Sequence, residues 1–511
     1  MKSINELKAG ALLSYVNLGI STVIPLFYTP VMLRLLGQAE YGLYSLSNSV
    51  ISYLSLLTFG LGGSILRYLT QSRTENDNGT LEKTAGLFVV LYSSIAVITL
   101  IVGICLTFFS GTFFAKGLTS QEIQRLNILV IIMSLNAAIS LLCVPYSSIT
   151  ICYERYIFRR IVEMISTIAV PLLNLVVLYA GLASVGMAVI GTVIQLFLLI
   201  LNIWFCAFRL KIRPKFRHLP FGMLKDIFRF TAFVFFSSIA DLLYWSTDKV
   251  LLGALVGSSA VAVYNVGATF NTMLQNMSSS ISGVFAPRVN QFVFSGRCID
   301  DFSELMIRIG RIQYFIVSLV VSGFIAFGQT FILLWAGGEY SEAYVVTLLT
   351  MIPLAVPLIQ NIAFTTITAK NKHQFRSILY MILAVLNVIG TYLLIPYMGI
   401  VGAALCTCVV FVLGHGIIMN WFYYKKIGFD IPKFWLNIIK MTIVPAAMVA
   451  IRFLLRNFGL KIQTLPQLLV GICVYTVLFC LLSWLFTMNH YEKNLVLGII
   501  KKIMRKETGI I

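Results

Sequence analysis

The sequence predicts an all-α polytopic membrane protein with about fourteen transmembrane helices, and three observations support this class. Of the 511 residues, 59% are hydrophobic and only 11% are charged, whereas a soluble domain carries about 25% charged residues. Apolar segments long enough to cross a bilayer recur along the chain. Basic residues concentrate in every second connection between these segments.

The apolar segments begin directly after a short polar N-terminus. The first is too long for the core of a signal peptide, so we expect it to remain as a helix. The predicted spans lie near 10–36, 41–69, 84–110, 125–151, 158–181, 184–208, 226–255, 258–287, 307–334, 343–369, 376–396, 399–424, 435–458 and 465–488.

The distribution of Lys and Arg predicts the topology. With the N-terminus in the cytoplasm, 31 of the 38 Lys and Arg fall on the cytoplasmic side of these spans. Such an excess is the positive-inside signal of a membrane protein. It predicts that both termini are cytoplasmic, and it explains the net charge of +19 without a nucleic-acid partner.

The chain contains an internal repeat that relates its two halves. Gly37 and Tyr44 match Gly257 and Tyr264 at an offset of 220, and residues 177–189 match 393–405 at an offset of 216. Six helices per copy return the chain to its starting side, so the two copies are parallel repeats. We expect an N-terminal six-helix lobe at 1–210, a basic cytoplasmic linker at 211–225, a second lobe at 226–425, and helices 13 and 14 with a basic tail at 426–511. A polybasic linker at this place is expected to lie on the anionic membrane surface.

The seventh predicted span contains the charged residues Asp241, Asp248 and Lys249. A charge near the bilayer centre costs roughly 2.5–3.5 kcal/mol on the insertion scale, and such residues usually line a transport path. Helical spacing would place Asp241, Trp245 or Tyr244, and Asp248 on one face. Asp241 is predicted to be the deepest acid. Both acids are candidates for H⁺ or Na⁺ coupling, and the alternative is an Asp248–Lys249 pair at the outer interface with Asp241 bonded to a neighbouring helix.

Polar side chains also follow helices 1, 2 and 8. Helix 8 carries amides and hydroxyls at helical spacing, including Asn265 and Gln275. This pattern favours a central cavity that binds substrate, although such residues also join helices by hydrogen bonds. Tyr244 and Trp245 are candidates to stack on sugar rings. No motif of a hydrolase, a P-loop enzyme or a zinc enzyme is found, so we expect a non-enzyme without metal or cofactor.

Two stretches resemble a known family. VMLRLLGQAEYGLYSL with TFGLGGSILRYLT, and STDKVLLGALVGSSAVAVYNVGATF with FAPRVNQF, look like the openings of the two halves of bacterial polysaccharide flippases. These are the Wzx-type lipid-linked oligosaccharide transporters of the MOP superfamily. The resemblance implies two six-helix lobes in a V, alternating access, and a cationic cavity for a polyprenyl-pyrophosphate sugar. Arg34, Arg67 and Arg288 are the basic candidates for that cavity.

Together these observations predict a flippase for an undecaprenyl-pyrophosphate-linked oligosaccharide in the bacterial cytoplasmic membrane. Expected partners are that substrate, membrane lipids and the machinery of polysaccharide polymerisation or export. Two alternatives stay open: a multidrug or cation antiporter of the same superfamily with Asp241 as its cation site, and a membrane polymerase or ligase of the same sugars.

Overall fold

The computed structural model describes residues 2–74, 78–294, 299–369, 374–459, 462–495 and 497–498. Within these ranges the chain is helical and contains no strand. This follows from the apolar composition, because a helix satisfies its backbone hydrogen bonds internally and needs no water in the bilayer.

The first half of the described chain forms ten α-helices. They are α1 (Lys2–Leu36), α2 (Gln38–Leu54), α3 (Leu61–Thr74), α4 (Asn78–Phe113), α5 (Ser120–Cys152), α6 (Tyr156–Tyr179), α7 (Ala183–Trp204), α8 (Leu224–Trp245), α9 (Thr247–Leu255) and α10 (Ser258–Phe294).

The second half of the described chain continues with seven more. They are α11 (Ile299–Trp335), α12 (Ala343–Ile359), α13 (Asn361–Ala369), α14 (Gln374–Phe411), α15 (Met419–Phe422), α16 (Ile431–Asn457) and α17 (Leu465–Phe486).

Each of the fourteen predicted spans coincides with one helix or with consecutive helices. In the described ranges, nine helical segments are long and apolar enough to cross a membrane, or eleven if each of two bent pairs counts as one span. The pairs are α2 with α3, bent by 42°, and α12 with α13, bent by 51°. The chain is therefore a multi-pass membrane protein, and the count of fourteen stays a prediction.

The repeat is visible in the backbone. Gly181 and Gly399 both have positive φ, at 78° and 54°. They occupy the tight turns predicted between spans 5 and 6 and between spans 11 and 12, at an offset of 218. A π-helical turn at Phe205–Arg209 recurs at Tyr423–Ile427 with the same offset. A positive φ favours a residue without Cβ, and each turn contains such a glycine; at the offset of 216 Gly399 corresponds to Ala183, whose φ is also positive at 49°.

The chain divides into two compact units. The first consists of residues 1–265 and 380–403, and the second of residues 266–379 and 404–511. In the first unit, α3, α4 and α5 enclose a core that includes Ile65, Phe88 and Tyr92. In the second unit, α11 packs against α16 and α17 around Phe327 and Phe479. The lobe boundaries predicted at 210, 226 and 425 follow the repeat and stay predictions.

Candidate functional site

The seventh predicted span is interrupted at Ser246, between α8 and α9. Ser246 has φ −111° and ψ −30°, and this φ is well outside the range of a regular α-helix. Thr247 and Asp248 occupy the first turn of α9. A carboxylate there interacts favourably with the positive end of the helix dipole, so the interruption creates a place for Asp248.

The carboxylate of Asp248 is fully buried, with 0% exposure, and accepts hydrogen bonds from three side chains of the described structure. Tyr264 Oη donates to Oδ2 at 2.5 Å. Thr391 Oγ1 and Asn387 Nδ2 donate to Oδ1 at 3.1 and 3.4 Å. An ionised carboxylate only accepts hydrogen bonds, and these neutral donors match that requirement.

The donors reach Asp248 from two helices of the same compact unit. Asn387 and Thr391 are four residues apart on α14, so they lie on one face of that helix. Tyr264 lies on α10. Asn387 and Thr391 are themselves fully buried. Because an unsatisfied polar group buried away from water is costly, the four side chains form a mutually dependent set, which we call the Asp248 cluster.

Two further hydrogen bonds join the neighbourhood of the Asp248 cluster to α2. Tyr53 and Thr247 share a hydrogen bond of 2.5 Å between their hydroxyls. Asn265 Nδ2 donates to Tyr41 Oη at 2.7 Å. The half-buried Asn265, a predicted substrate residue, is thus already engaged within the first unit.

The two acids of span 7 differ in burial, while the predicted membrane depth of Asp241 stays a prediction. Asp241 is exposed, whereas Asp248 is completely buried. Tyr244 is also buried, so Asp241, Tyr244 and Asp248 do not form one exposed polar face. Asp248 is likewise not part of an exposed pair at an interface. The interruption at Ser246 separates Asp248 from the face of α8, whereas Asp241 and Tyr244 already differ in exposure on α8 itself.

The two aromatic residues predicted to stack on sugar rings, Tyr244 and Trp245, are only partly accessible. Tyr244 is 7% exposed, and its ring meets that of Tyr380 edge-on, with centroids 6.3 Å apart. Trp245 is half-buried. Of this pair, Trp245 has the greater accessible area for a sugar ring. Gln275 is half-buried on α10 within the second unit.

Two of the predicted arginines, Arg34 and Arg67, lie on opposite sides of α2. Arg34 is exposed in the last turn of α1, and Arg67 is exposed on α3. The 17 residues of α2 lie between them and span about 25 Å at 1.5 Å per residue. A single pyrophosphate cannot contact both. Arg288 lies on α10, and its side chain is outside the described part of the structure.

Sequence reasoning missed Tyr264, Asn387 and Thr391 as partners of Asp248. Tyr264 was noted only as a marker of the repeat. Asn387 and Thr391 give a readable signal, because two polar residues at a spacing of four stand in the otherwise apolar LAVLNVIGTYLLI.

These features define a class: a multi-pass helical membrane protein with a repeated, interrupted helix fold and a buried acidic cluster. Residues 7–293 match the sequence family described as Polysaccharide biosynthesis protein. This match covers more than half of the chain, which therefore belongs to that family.

Two relatives and a solved structure extend the likeness over nearly the whole chain. The uncharacterized membrane protein EpsK of Bacillus subtilis (strain 168) is 20% identical, over 96% of this chain and 97% of EpsK. A putative O-antigen transporter of Shigella flexneri is 20% identical, over 80% of this chain and 95% of its own. The lipid II flippase MurJ in an inward closed conformation superposes with a TM-score of 0.68 at 15% identity, covering 93% of this chain and 98% of MurJ. MATE transporters of the MOP superfamily share this fold.

Proposed function

We propose that this protein translocates an undecaprenyl-pyrophosphate-linked oligosaccharide across the bacterial cytoplasmic membrane by alternating access, and that Asp248 is its ion-coupling residue. The family and the putative O-antigen transporter among its relatives support a lipid-linked sugar as substrate. The fold shared with a lipid II flippase supports a lipid-linked cargo.

The observation that carries ion coupling is the Asp248 cluster. It places one carboxylate, two hydroxyls and one amide around a point from which water is excluded. Oxygen atoms of these groups are suitable ligands for a hard cation, and a proton on Asp248 would change the same hydrogen bonds. Binding of either cation would therefore rearrange contacts between α9, α10 and α14.

Membrane potential supplies a driving force for the loaded step. An outward-moving negative charge gains about 2.3 kcal/mol per 100 mV, so two phosphate charges gain roughly 4–5 kcal/mol if they cross the full field. The return of the empty carrier is the step that needs a cation moving inward. In this scheme, Asp248 carries that cation and the substrate's own charge drives the outward step.

The matched pair Asp248→Asn and Asp241→Asn tests this assignment. Both changes remove one carboxylate from the same span with little change of volume. We expect Asp248→Asn to reduce surface polysaccharide at least tenfold, with normal folded protein by size-exclusion chromatography. Asp241→Asn should stay within about twofold of wild type. The reverse order would assign coupling to Asp241, as the sequence had suggested.

The second candidate is a multidrug or cation antiporter, which the shared MATE fold and the acidic cluster favour. Cells lacking the protein separate the two functions. A flippase predicts that a lipid-linked oligosaccharide accumulates with its sugar facing the cytoplasm. An antiporter predicts unchanged lipid-linked sugars and increased retention of cationic dyes.

The proposed topology places both termini in the cytoplasm. Lys215 and Lys425 should then be cytoplasmic and Glu339 external, and all three are exposed. Single cysteines at these positions can be labelled with an impermeant reagent on intact cells, in a variant whose native cysteines have been replaced. External labelling at 215 would invalidate the proposed orientation.

A further inference from the structure

The basic connection between the two repeats crosses the N-terminal end of α4. Residues 209–221, which we call the strap, run from the end of α7 towards α8. Their sequence, RLKIRPKFRHLPF, has five Arg and Lys and no acidic residue. The positive-inside rule requires basic residues in such a loop, but it does not specify where their side chains point.

Exposed cations alternate with less exposed residues in the first half of the strap. Arg209, Lys211, Arg213 and Lys215 are exposed, while the residues between them face inward. Ile212 is 5% exposed in the core of the first unit, and Leu210 packs against the same core. The apolar residues therefore hold the strap against the core, while the cations stay exposed.

The strap is fixed to α4 through its backbone. Lys215 N–H donates to the carbonyl oxygen of Glu82 at 2.9 Å, and Lys215 Nζ lies 2.7 Å from the Glu82 carboxylate. A Cβ on Gly86 would lie only 1.9 Å from the Lys215 carbonyl oxygen. This close approach is possible only because residue 86 is glycine. The strap therefore packs against α4 at a defined position.

Exposed aromatic residues accompany the outward cations. Phe208 is 64% exposed, and Phe216 and Phe221 are 59% and 58% exposed. Cations together with aromatic side chains at the ends of membrane helices are typical of a surface that contacts lipid headgroups. A cluster of Lys and Arg next to a span is attracted to an anionic leaflet.

From this arrangement we propose that the strap is a binding surface for anionic phospholipid headgroups. The phosphates contact Arg209, Lys211 and Arg217, and the exposed phenylalanines enter the headgroup layer. The charge of Lys215 is engaged by the carboxylate of Glu82, to which the backbone N–H of Arg213 also donates. The surface is separate from the Asp248 cluster and is specific for lipid charge, not for the transported sugar.

Native mass spectrometry can test this proposal. The purified full-length protein is titrated with phosphatidylglycerol or phosphatidylcholine in neutral detergent. Wild type should bind phosphatidylglycerol at least tenfold more tightly than phosphatidylcholine. The triple variant R209Q/K211Q/R217Q should lose this preference. The matched control K425Q/K426Q/K433Q removes three exposed cations from the second unit and should keep it.

Two further measurements make the result decisive. R209K/R217K retains the charge and should retain phosphatidylglycerol binding, and a thermal melt confirms that each variant is folded. Equal phosphatidylglycerol binding by both triple variants would overturn the proposal. So would displacement of the lipid by inorganic pyrophosphate but not by sulfate at equal ionic strength, because the strap would then prefer a substrate-like anion.

Discussion

Corresponding positions in the two repeats hold different chemistry. In the first repeat, Asn174 Nδ2 donates to Tyr28 Oη at 3.2 Å. In the second, Thr391 donates to Asp248 at 3.1 Å. Tyr28 corresponds to Asp248 at an offset of 220, the offset that relates Gly37 and Tyr44 to Gly257 and Tyr264. Asn174 and Thr391 both lie on the fifth predicted span of their repeat.

The two repeats share a contact between helices but differ in the residues that make it. The pairing of the first helix of each repeat with the fifth is retained, as are the glycine turns that follow. The first pair is neutral, whereas the second contains a buried carboxylate with two additional donors, Tyr264 and Asn387. Under the proposed ion coupling, one copy serves as scaffold while the other responds to a cation, and four experiments test this division.

The largest expected effect is on stability, at Asp248. Replacement by Ala leaves its three buried donors without their acceptor, and each costs about 1–3 kcal/mol. We expect Asp248→Ala to lower the free energy of unfolding by roughly 3 kcal/mol or more, seen as a large drop in melting temperature in detergent. Tyr28→Phe, which removes the hydrogen bond from Asn174 and keeps the ring, is the comparison in the first repeat. A drop for Asp248→Ala no larger than for Tyr28→Phe would remove the distinction between the copies.

The glycine turns should respond alike in both repeats. Ala at 181 or 399 must adopt a positive φ, which costs roughly 1–3 kcal/mol. We expect Gly181→Ala and Gly399→Ala to lower the melting temperature by similar amounts. Gly283, which is exposed on α10 with open space around its Cα, provides a control where Ala should stabilise slightly. An effect confined to one repeat would show that the turns are not equivalent.

Thr391→Val should affect cation dependence more than stability. The change keeps the shape of the side chain and removes one hydrogen bond to Asp248, worth about 1.5 kcal/mol for a charged acceptor. The lost donor stabilised the cation-free carboxylate, so cation binding becomes tighter, and we expect roughly a tenfold lower cation concentration for half-maximal transport in proteoliposomes. Thr366→Val, at another buried threonine hydroxyl, is the control. Equal shifts in both variants would contradict a special role for position 391.

The smallest effect is expected at Tyr28. Tyr28→Phe removes the hydrogen bond from Asn174, which contributes about 1 kcal/mol. Surface polysaccharide in complemented cells should stay within about twofold of wild type, and its cation dependence should not change. A shift in cation dependence comparable with that of Thr391→Val would place the first repeat in the coupling machinery as well.

Much of the fold could be predicted from the sequence because span length, apolarity and glycine turns are local properties. The turns at Gly181 and Gly399 were located in this way. The environment of Asp248 could not be predicted, because it depends on α10 and α14 approaching α9 from distant parts of the chain. The helical face that was predicted to join Asp241 to Asp248 does not continue past Ser246. No glycine or proline in the sequence marks this interruption.

The strap has a consequence for how the two copies can be separated. A duplication suggests two modules that could be expressed as independent chains, with the cut placed in the basic connection. Yet Ile212 and Ile227 from that connection and the helix after it are buried in the core of the first unit. A protein cut between these residues would leave part of this core exposed in each fragment. The connection between the two repeats is therefore a poor place to divide the chain.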